Sequence, residues 1–418
     1  MALFPRYVEP QVLASLADTP VAVIVGARQC GKSTLAERIA AERGAAMVSL
    51  DAAALREAAN ADPTGFIEER DVPLLIDEFQ KAPDLLDAIK ARVDRARRGG
   101  RSAAGMYLLT GSANVWSTLQ ISESLTGRAE RIQLGSLSQG ELRGHRESFL
   151  FDLLVGWVPK IDEQPVGRGP VAEAVVRGGY PEMLSRQSES RRAQWLRSYL
   201  EMIVERDARD LTDRARQLDD LPRLLKVVGA RIGGLLDLTS IGRAIEMKRD
   251  SVRRYLRILE LLFLVVQAPA WSQNLTQQLI KRPKLWIPDS GLACQLAGCD
   301  EDRFLSDETG IAGLLFENFV ASEVLKQASR LDQGVTLHHF RTAGGREVDI
   351  VCEAADGSVV GLEVKLSATP RKSDFSGLAH LRDAIGSRFK AGVVINTGAE
   401  TLSFGDRLWA VPVGGLWS

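Results

Sequence analysis

At 418 residues the chain has room for two to four domains of about 150 residues each, and 45% apolar with 26% charged residues is the composition of a globular protein. A formal net charge of −1 excludes a global basic field, so any contact with nucleic acid has to come from local patches. The four cysteines (Cys30, Cys294, Cys299, Cys352) have no metal-site spacing and fit a reduced, cytoplasmic compartment; the start MALFPRYVEP reads without a signal peptide, and no apolar run reaches membrane-spanning length.

In chain order, the first strand is expected at 21–25, an apolar β-branched run. It leads into Gly26-Ala27-Arg28-Gln29-Cys30-Gly31-Lys32-Ser33, followed by Thr34 and a helix over 32–43. This G-x-x-x-x-G-K-S spacing in a strand–loop–helix setting is a P-loop. Its glycines let backbone N–H groups from Gly26 through Thr34 turn inward on a polyphosphate, and the helix start adds a positive dipole end. Lys32 is expected on the β- and γ-phosphates of ATP or GTP, and Ser33 on Mg²⁺.

Further strands are expected at 46–50 and 73–77, with a helix over 84–97. The run VPLLIDEFQ ends in Asp77 and Glu78, an apolar strand delivering two carboxylates. Asp77 suits Mg²⁺ through water, and Glu78 suits a water-polarising base. The strand at 106–110 runs into Thr110-Gly111-Ser112, so Thr110, Ser112 or Asn114 is expected near the γ-phosphate. Arg128, in Ser124-Leu125-Thr126-Gly127-Arg128, is the candidate for stabilising charge on transferring phosphate. A last strand follows at 131–134, and the sum is a parallel α/β sheet that suggests the additional-strand class of P-loop ATPases.

Residues 159–170 are Pro/Gly-rich and read as a connection, and 171–230 as helical, interrupted by Arg177-Gly178-Gly179-Tyr180-Pro181. A helix over 238–245, capped by Thr or Ser, and a second carrying Val252, Leu256, Leu259 and Phe263 on one face are followed by short strands near 263–268 and 284–287. That order suggests a winged helix-turn-helix with Arg253, Arg254 and Arg257 facing DNA phosphates or solvent.

The last third reads α-β-β-β-α-β. An amphipathic helix over 313–328 carries Glu317, and strands follow near 335–340, through Asp349, and over 359–365. Period 2 puts Glu363 and Lys365 on one face, where a hairpin brings Asp349 beside them. Asp349 and Glu363 are a candidate Mg²⁺ or Mn²⁺ site for phosphodiester cleavage, with Lys365 orienting or activating water and Glu317 adding a further carboxylate. A structural ion network is the alternative for the same residues.

The segments GARQCGKST, LLIDEFQKAPDLL, LLTGSAN, SLTGRAERIQLGSLSQGE, GGYPE, PKLWIPDSGL, LFENFVASEV and REVDIVCEAADGSVVGLEVK run through nearly the whole chain. Together they resemble the prokaryotic AAA-type ATPases that carry a C-terminal domain of unknown function with a restriction-endonuclease-like end. The Asp349, Glu363, Lys365 pattern resembles the D…E-x-K signature of that nuclease superfamily. The resemblance implies ATP hydrolysis and a link to DNA. The expected layout is a P-loop core over 1–165, a helical lid over 166–230, a winged helix-turn-helix over 231–300 and a nuclease-like domain over 301–418. The expected partners are ATP, DNA and further copies of the chain, with no membrane. An ATP-gated switch or scaffold that binds DNA or a protein and cuts nothing is the alternative. A protein-threading machine would need an aromatic pore loop, and none is evident.

Overall fold

The computed structural model describes residues 4–112, 125–161, 166–210, 220–274 and 281–417. Asn114 and Ser124 lie outside the described residues. The chain divides into two compact units: one holds Arg6–Ser136 with Glu260–Phe263, the other holds Leu137–Leu259 and Leu264–Ser418 with the first five residues.

In the first unit, α1 (Glu9–Asp18) precedes β1 (Val21–Val25) and α2 (Lys32–Glu42). Then come β2 (Ala46–Ser49), α3 (Ala53–Ala61), α4 (Pro63–Glu68), β3 (Leu74–Asp77), α5 (Leu85–Arg98), β4 (Tyr107–Gly111) and β5 (Ala129–Gln133). All strand pairings are parallel, in the order β2-β3-β4-β1-β5. Strand β4 therefore stands between the P-loop strand β1 and the acidic strand β3, the inserted strand that the sequence suggested but could not order. β1 is buried along its length. Its Ala22 and Ile24 pack against Val12 and Leu16 of α1 and Leu35 and Ile39 of α2. Because parallel strands end together, the residues after β1, β3 and β4 meet at one edge.

The second unit begins with α6 (Gln139–Arg143), α7 (Phe149–Leu154), α8 (Arg168–Arg177), α9 (Pro181–Leu184), α10 (Glu189–Met202) and α11 (Leu221–Gly229). Gly178-Gly179 breaks the helices where backbones press together: a Cβ on Gly179 would stand 2.0 Å from the Leu137 carbonyl oxygen. Next are α12 (Leu238–Ala244) and α13 (Arg249–Leu261), then the antiparallel pair β6 (Val266–Ala268) and β7 (Lys284–Trp286). The cap of α12 is the Asp237 carboxylate, which accepts from the N–H groups of Thr239 and Ser240 at 3.0 Å, rather than Thr or Ser. Val252, Tyr255, Leu256, Ile258 and Leu259 form the buried face of α13; Phe263 falls past its end at φ 58°.

Short helices α14 (Ser290–Ala297) and α15 (Glu301–Ser306) lead to α16 (Ile311–Ala328). Then follow β8 (Val335–Arg341), β9 (Glu347–Ala354), β10 (Val359–Val364), α17 (Ser376–Ile385), β11 (Phe389–Asn396), β12 (Leu402–Gly405) and β13 (Leu408–Pro412). The sheet order is β12-β13-β11-β10-β9-β8, with β8, β9 and β10 antiparallel and β10, β11 and β13 parallel. The α-β-β-β-α-β order is present, extended by β12 and β13, which the sequence reading left out.

The amphipathic expectation for α16 fails. Its polar residues Glu317, Asn318, Ser322, Glu323 and Gln327 are buried along with its apolar ones. Each is matched to a neighbour: Asn318 exchanges hydrogen bonds with the Ile287 backbone, and Gln327 accepts from Leu150 N and donates to Leu416 O. A helix buried over most of its length, all but its first turn lacking exposed residues, keeps polar side chains there only where partners satisfy them. None of the described helices is long and apolar enough to cross a membrane.

Candidate functional site

The P-loop starts where β1 stops. A Cβ on Gly26 would meet the Leu134 carbonyl oxygen at 2.1 Å, so only glycine fits there. Gln29 and Gly31 take left-handed backbone (φ 59° and 99°), wrapping the loop before α2 begins at Lys32. Lys32 is buried, and its Nζ donates to the carbonyls of Gly26 at 3.1 Å and Ala27 at 2.8 Å. Cys30 is enclosed, with Sγ 3.4 Å from the Leu134 carbonyl. Thr34 is exposed in the first turn of α2.

Asp77 is the hub. Its Oδ1 accepts from Ser33 Oγ at 2.8 Å and from Thr110 Oγ1, and its Oδ2 accepts from Ser49 Oγ at 3.3 Å. Strands β2, β3, β4 and helix α2 thus deliver one polar cluster to the ligand edge. Glu78 follows with φ 57°, a conformation that costs a non-glycine residue and turns its carboxylate aside from the strand direction. Its Oε2 accepts from Ser112 Oγ at 3.2 Å and from Gln80 Nε2, and Gln80 also donates to Ser112 at 3.0 Å.

Three residues in this unit escaped the sequence reading. Arg6, from the segment before α1, donates to Cys30 O at 2.6 Å and Gly135 O at 2.8 Å, fastening the P-loop from behind. Ser49 and Gln80 hold the two acids. Arg6 lacks a local signal, because it meets the loop through tertiary folding alone; Ser49 and Gln80 were legible only as polar residues ending a strand or following one.

Arg128 stands elsewhere. It precedes β5, whose Ala129 pairs with Val21 at the start of β1, whereas the P-loop follows Val25. Five residues of strand, about 16 Å, separate the two edges. Its Nε and Nη2 contact Asp94 at 2.7 and 2.9 Å, and that hydrogen bond holds the Asp94 carboxyl below its ordinary range. Arg128 therefore does not face the P-loop of its own chain.

In the second unit, Glu317, Asp349 and Glu363 gather at 7, 8 and 7% exposure, from α16, β9 and β10. Lys365 follows β10 and donates to Glu363 Oε1 at 2.7 Å, as period 2 predicts. Sequence reasoning missed Lys284 of β7. Its ammonium donates to Glu317 Oε1 at 2.7 Å and to Asp349 Oδ1 at 3.0 Å. Its signal was a lysine opening a short, otherwise apolar strand. The other Asp349 oxygen accepts from Val364 N at 3.0 Å. Trp286 Nε1 lies 3.4 Å from Glu317 Oε1, and the buried Glu363 Oε2 has no hydrogen-bond partner among the described residues.

Burial first, and then the nearby Asp349 charge, push Glu363 up to about 8 and Glu317 up to about 7. Burial pulls Lys284 down, but Asp349 and Glu317 together outweigh it and hold it protonated. Three carboxylates face two ammoniums, so the Asp349 charge adds to the larger effect of burial on Glu363 and Glu317. Among the described residues no three His, Cys, Asp or Glu side chains group as ligands for a metal ion. The expected divalent site on Asp349 and Glu363 does not fit, because both Asp349 oxygens are taken and an ammonium stands beside them.

The four cysteines are free and buried, and burial pushes the Cys352 thiol up to about 12.

Residues 18–143 match the family described as "AAA domain". Residues 169–303 and 312–416 match two families described as "Domain of unknown function", DUF8612 and DUF4143. The chain is similar to "Uncharacterized protein Rv2008c" of Mycobacterium tuberculosis and "Uncharacterized protein Mb2031c" of Mycobacterium bovis. Each is 28% identical over 357 residues, covering 85% of this chain and 72% of the relative. Among solved structures, a Walker-type ATPase of Pyrococcus abyssi overlaps at TM-score 0.42 and 15% identity, covering 70% of this chain and 96% of that one. The RuvB Holliday junction branch migration motor of Thermotoga maritima overlaps at TM-score 0.29 and 17% identity, covering 64% and 90%. Overlaps this loose carry no weight. The AAA match and the P-loop sheet make the first unit a P-loop ATPase domain of the AAA type.

Proposed function

We propose that the chain hydrolyses ATP in its first unit and couples that cycle to DNA through its second. The observation that carries the reading is Ser33 Oγ at 2.8 Å from Asp77 Oδ1, with Glu78 next along the chain. The residues fit a nucleotide and Mg²⁺: a loop that tolerates only glycine at Gly26, a buried lysine, and a hydroxyl paired with a carboxylate. Ser33 and Asp77 hold the ion, which supplies charge to the polyphosphate. Lys32 leaves its carbonyls for phosphate oxygens. Ser112 and Gln80 position Glu78 until it polarises water, and Arg128 acts on the phosphate of a neighbouring copy. The test is Glu78→Gln: ATP binding by titration is expected to persist while phosphate release falls by at least about a hundredfold. Release at the parent rate removes Glu78 from the role.

The DNA half of the reading is supported by the exposed Arg253, Arg254 and Arg257 on α13, opposite its buried face. The order α12, α13, β6, β7 suits a winged helix-turn-helix over 231–300, between a helical lid and a nuclease-like end. Each phosphate contact releases counterions, so each arginine removed is expected to flatten the slope of log affinity on log salt by about one unit. The measurement is DNA binding across a salt series for the parent and the triple alanine variant; equal slopes make α13 a protein-contact surface.

For the C-terminal unit the geometry favours the non-cutting alternative over Mg²⁺- or Mn²⁺-dependent cleavage, because Lys284 pairs with Asp349 where the metal is needed. A cytoplasmic setting belongs to the same reading, supported by the four free thiols.

A further inference from the structure

We propose that Lys284 is the resident cation of the buried acid cluster: its ammonium fills the place between Glu317 and Asp349, and the cluster takes a divalent ion only when that ammonium is removed. The inference goes beyond the ATPase reading and does not depend on it.

The geometry is that of a coordinated cation. Lys284 Nζ lies 2.7 Å from Glu317 Oε1 and 3.0 Å from Asp349 Oδ1, so one charge is shared by carboxylates from α16 and β9. Asp349 is anchored on its far side by Val364 N, and Trp286 Nε1 shares with Lys284 the same Glu317 oxygen, Oε1. Asp349 therefore cannot turn either oxygen toward a second cation without breaking a hydrogen bond. A divalent ion bound by Asp349 and Glu363 would also face two ammoniums, Lys284 and Lys365, each already in contact with one of its ligands. In a low-dielectric interior that repulsion is strong.

The lysine holds a standing advantage over a free ion. It is tethered on β7, so its local concentration at the carboxylates does not depend on the medium. An ammonium this enclosed cannot leave without losing both partners, and an unpaired buried charge is strongly disfavoured. The cluster thereby joins the β6–β7 hairpin to the C-terminal sheet, with the charge supplied by protein. Glu363 Oε2, buried with no hydrogen-bond partner among the described residues, marks the side on which a larger or doubly charged ion would need to be accepted.

Terbium(III) luminescence on the full-length, nucleotide-free chain tests this, because Trp286 sits against Glu317 and would sensitise an ion bound there. The parent is expected to give no sensitised signal from this cluster. Lys284→Met is expected to bind Tb³⁺ at least about tenfold more tightly than the parent, with the signal lost in Lys284→Met/Asp349→Asn. Its melting midpoint is expected to rise with added Mn²⁺, whereas the parent's does not. If Lys284→Met does not fold, Lys284→Met/Glu317→Gln removes the pair as a unit and replaces it, expected to bind Tb³⁺ through Asp349 and Glu363. A parent signal that disappears in Asp349→Asn with Lys284 intact overturns the proposal. So does the absence of Tb³⁺ binding in the folded variants lacking Lys284.

Discussion

Arg128→Ala is expected to lower ATP hydrolysis by about a thousandfold while leaving ATP binding unchanged. The residue stands at the edge of the sheet opposite its own P-loop, so the loss cannot come from the nucleotide of the same chain. Its guanidinium is held by Asp94 at 2.7 and 2.9 Å and by Thr126 O at 2.9 Å, contacts that a phosphate would have to replace. In the proposed reading the stabilised charge belongs to a neighbouring copy. Mixing Arg128→Ala with Lys32→Ala is therefore expected to restore part of the activity. One variant keeps a working P-loop and the other a working arginine, and a mixed interface joins them. Steady-state phosphate release on the separate and mixed proteins measures this. Full turnover by Arg128→Ala removes the arginine from catalysis, and no recovery on mixing removes the shared interface.

Lys32→Ala is expected to weaken ATP binding by one to two orders of magnitude, about the value of a hydrogen bond to a charged group. Lys32 is the buried cation of the loop, held by the carbonyls of Gly26 and Ala27. Exchanging those neutral acceptors for phosphate oxygens gains a charge-assisted bond at little reorganisation, since the side chain already lies within the loop. Alanine leaves the two carbonyls to water and the polyphosphate to backbone N–H groups alone. The loop itself is expected to survive, because its shape rests on Gly26 against Leu134 and on the Arg6 clamp rather than on the lysine. Fluorescent-nucleotide titration with and without Mg²⁺ reads the change, and parent affinity in Lys32→Ala would exclude the lysine from phosphate contact.

Much of this protein is written locally. The P-loop, the strand ending in Asp77-Glu78 and the strand ending in Thr110-Gly111-Ser112 are each a run of buried residues followed by a polar break. Period and punctuation suffice to read them. The same holds for the exposed arginines of α13, because a helix with one buried face leaves the other to water. The pairing of Lys365 with Glu363 follows from strand alternation alone.

Other features depend on distance along the chain. The place of β4 between β3 and β1 is a choice among sheet orders that all satisfy the same apolar pattern. Asp237 caps α12 in place of the neighbouring Thr or Ser, a contest between adjacent oxygens that backbone geometry decides. Helix α16 was expected to have a wet face and has no exposed residue beyond its first turn, since the partners that satisfy Asn318 and Gln327 come from segments 31 to 177 residues away. The direction Arg128 faces depends on which end of a parallel strand it precedes. Lys284 is the sharpest case. As a lysine in a short strand it carries no message. Folding sets it between carboxylates 33 and 65 residues further along, and its charge then determines what that acid cluster can hold. The sequence by itself determined which residue types were available at each strand end and helix face. Only the tertiary structure decided which charges meet, because an ion pair between distant segments leaves no periodic trace in the chain.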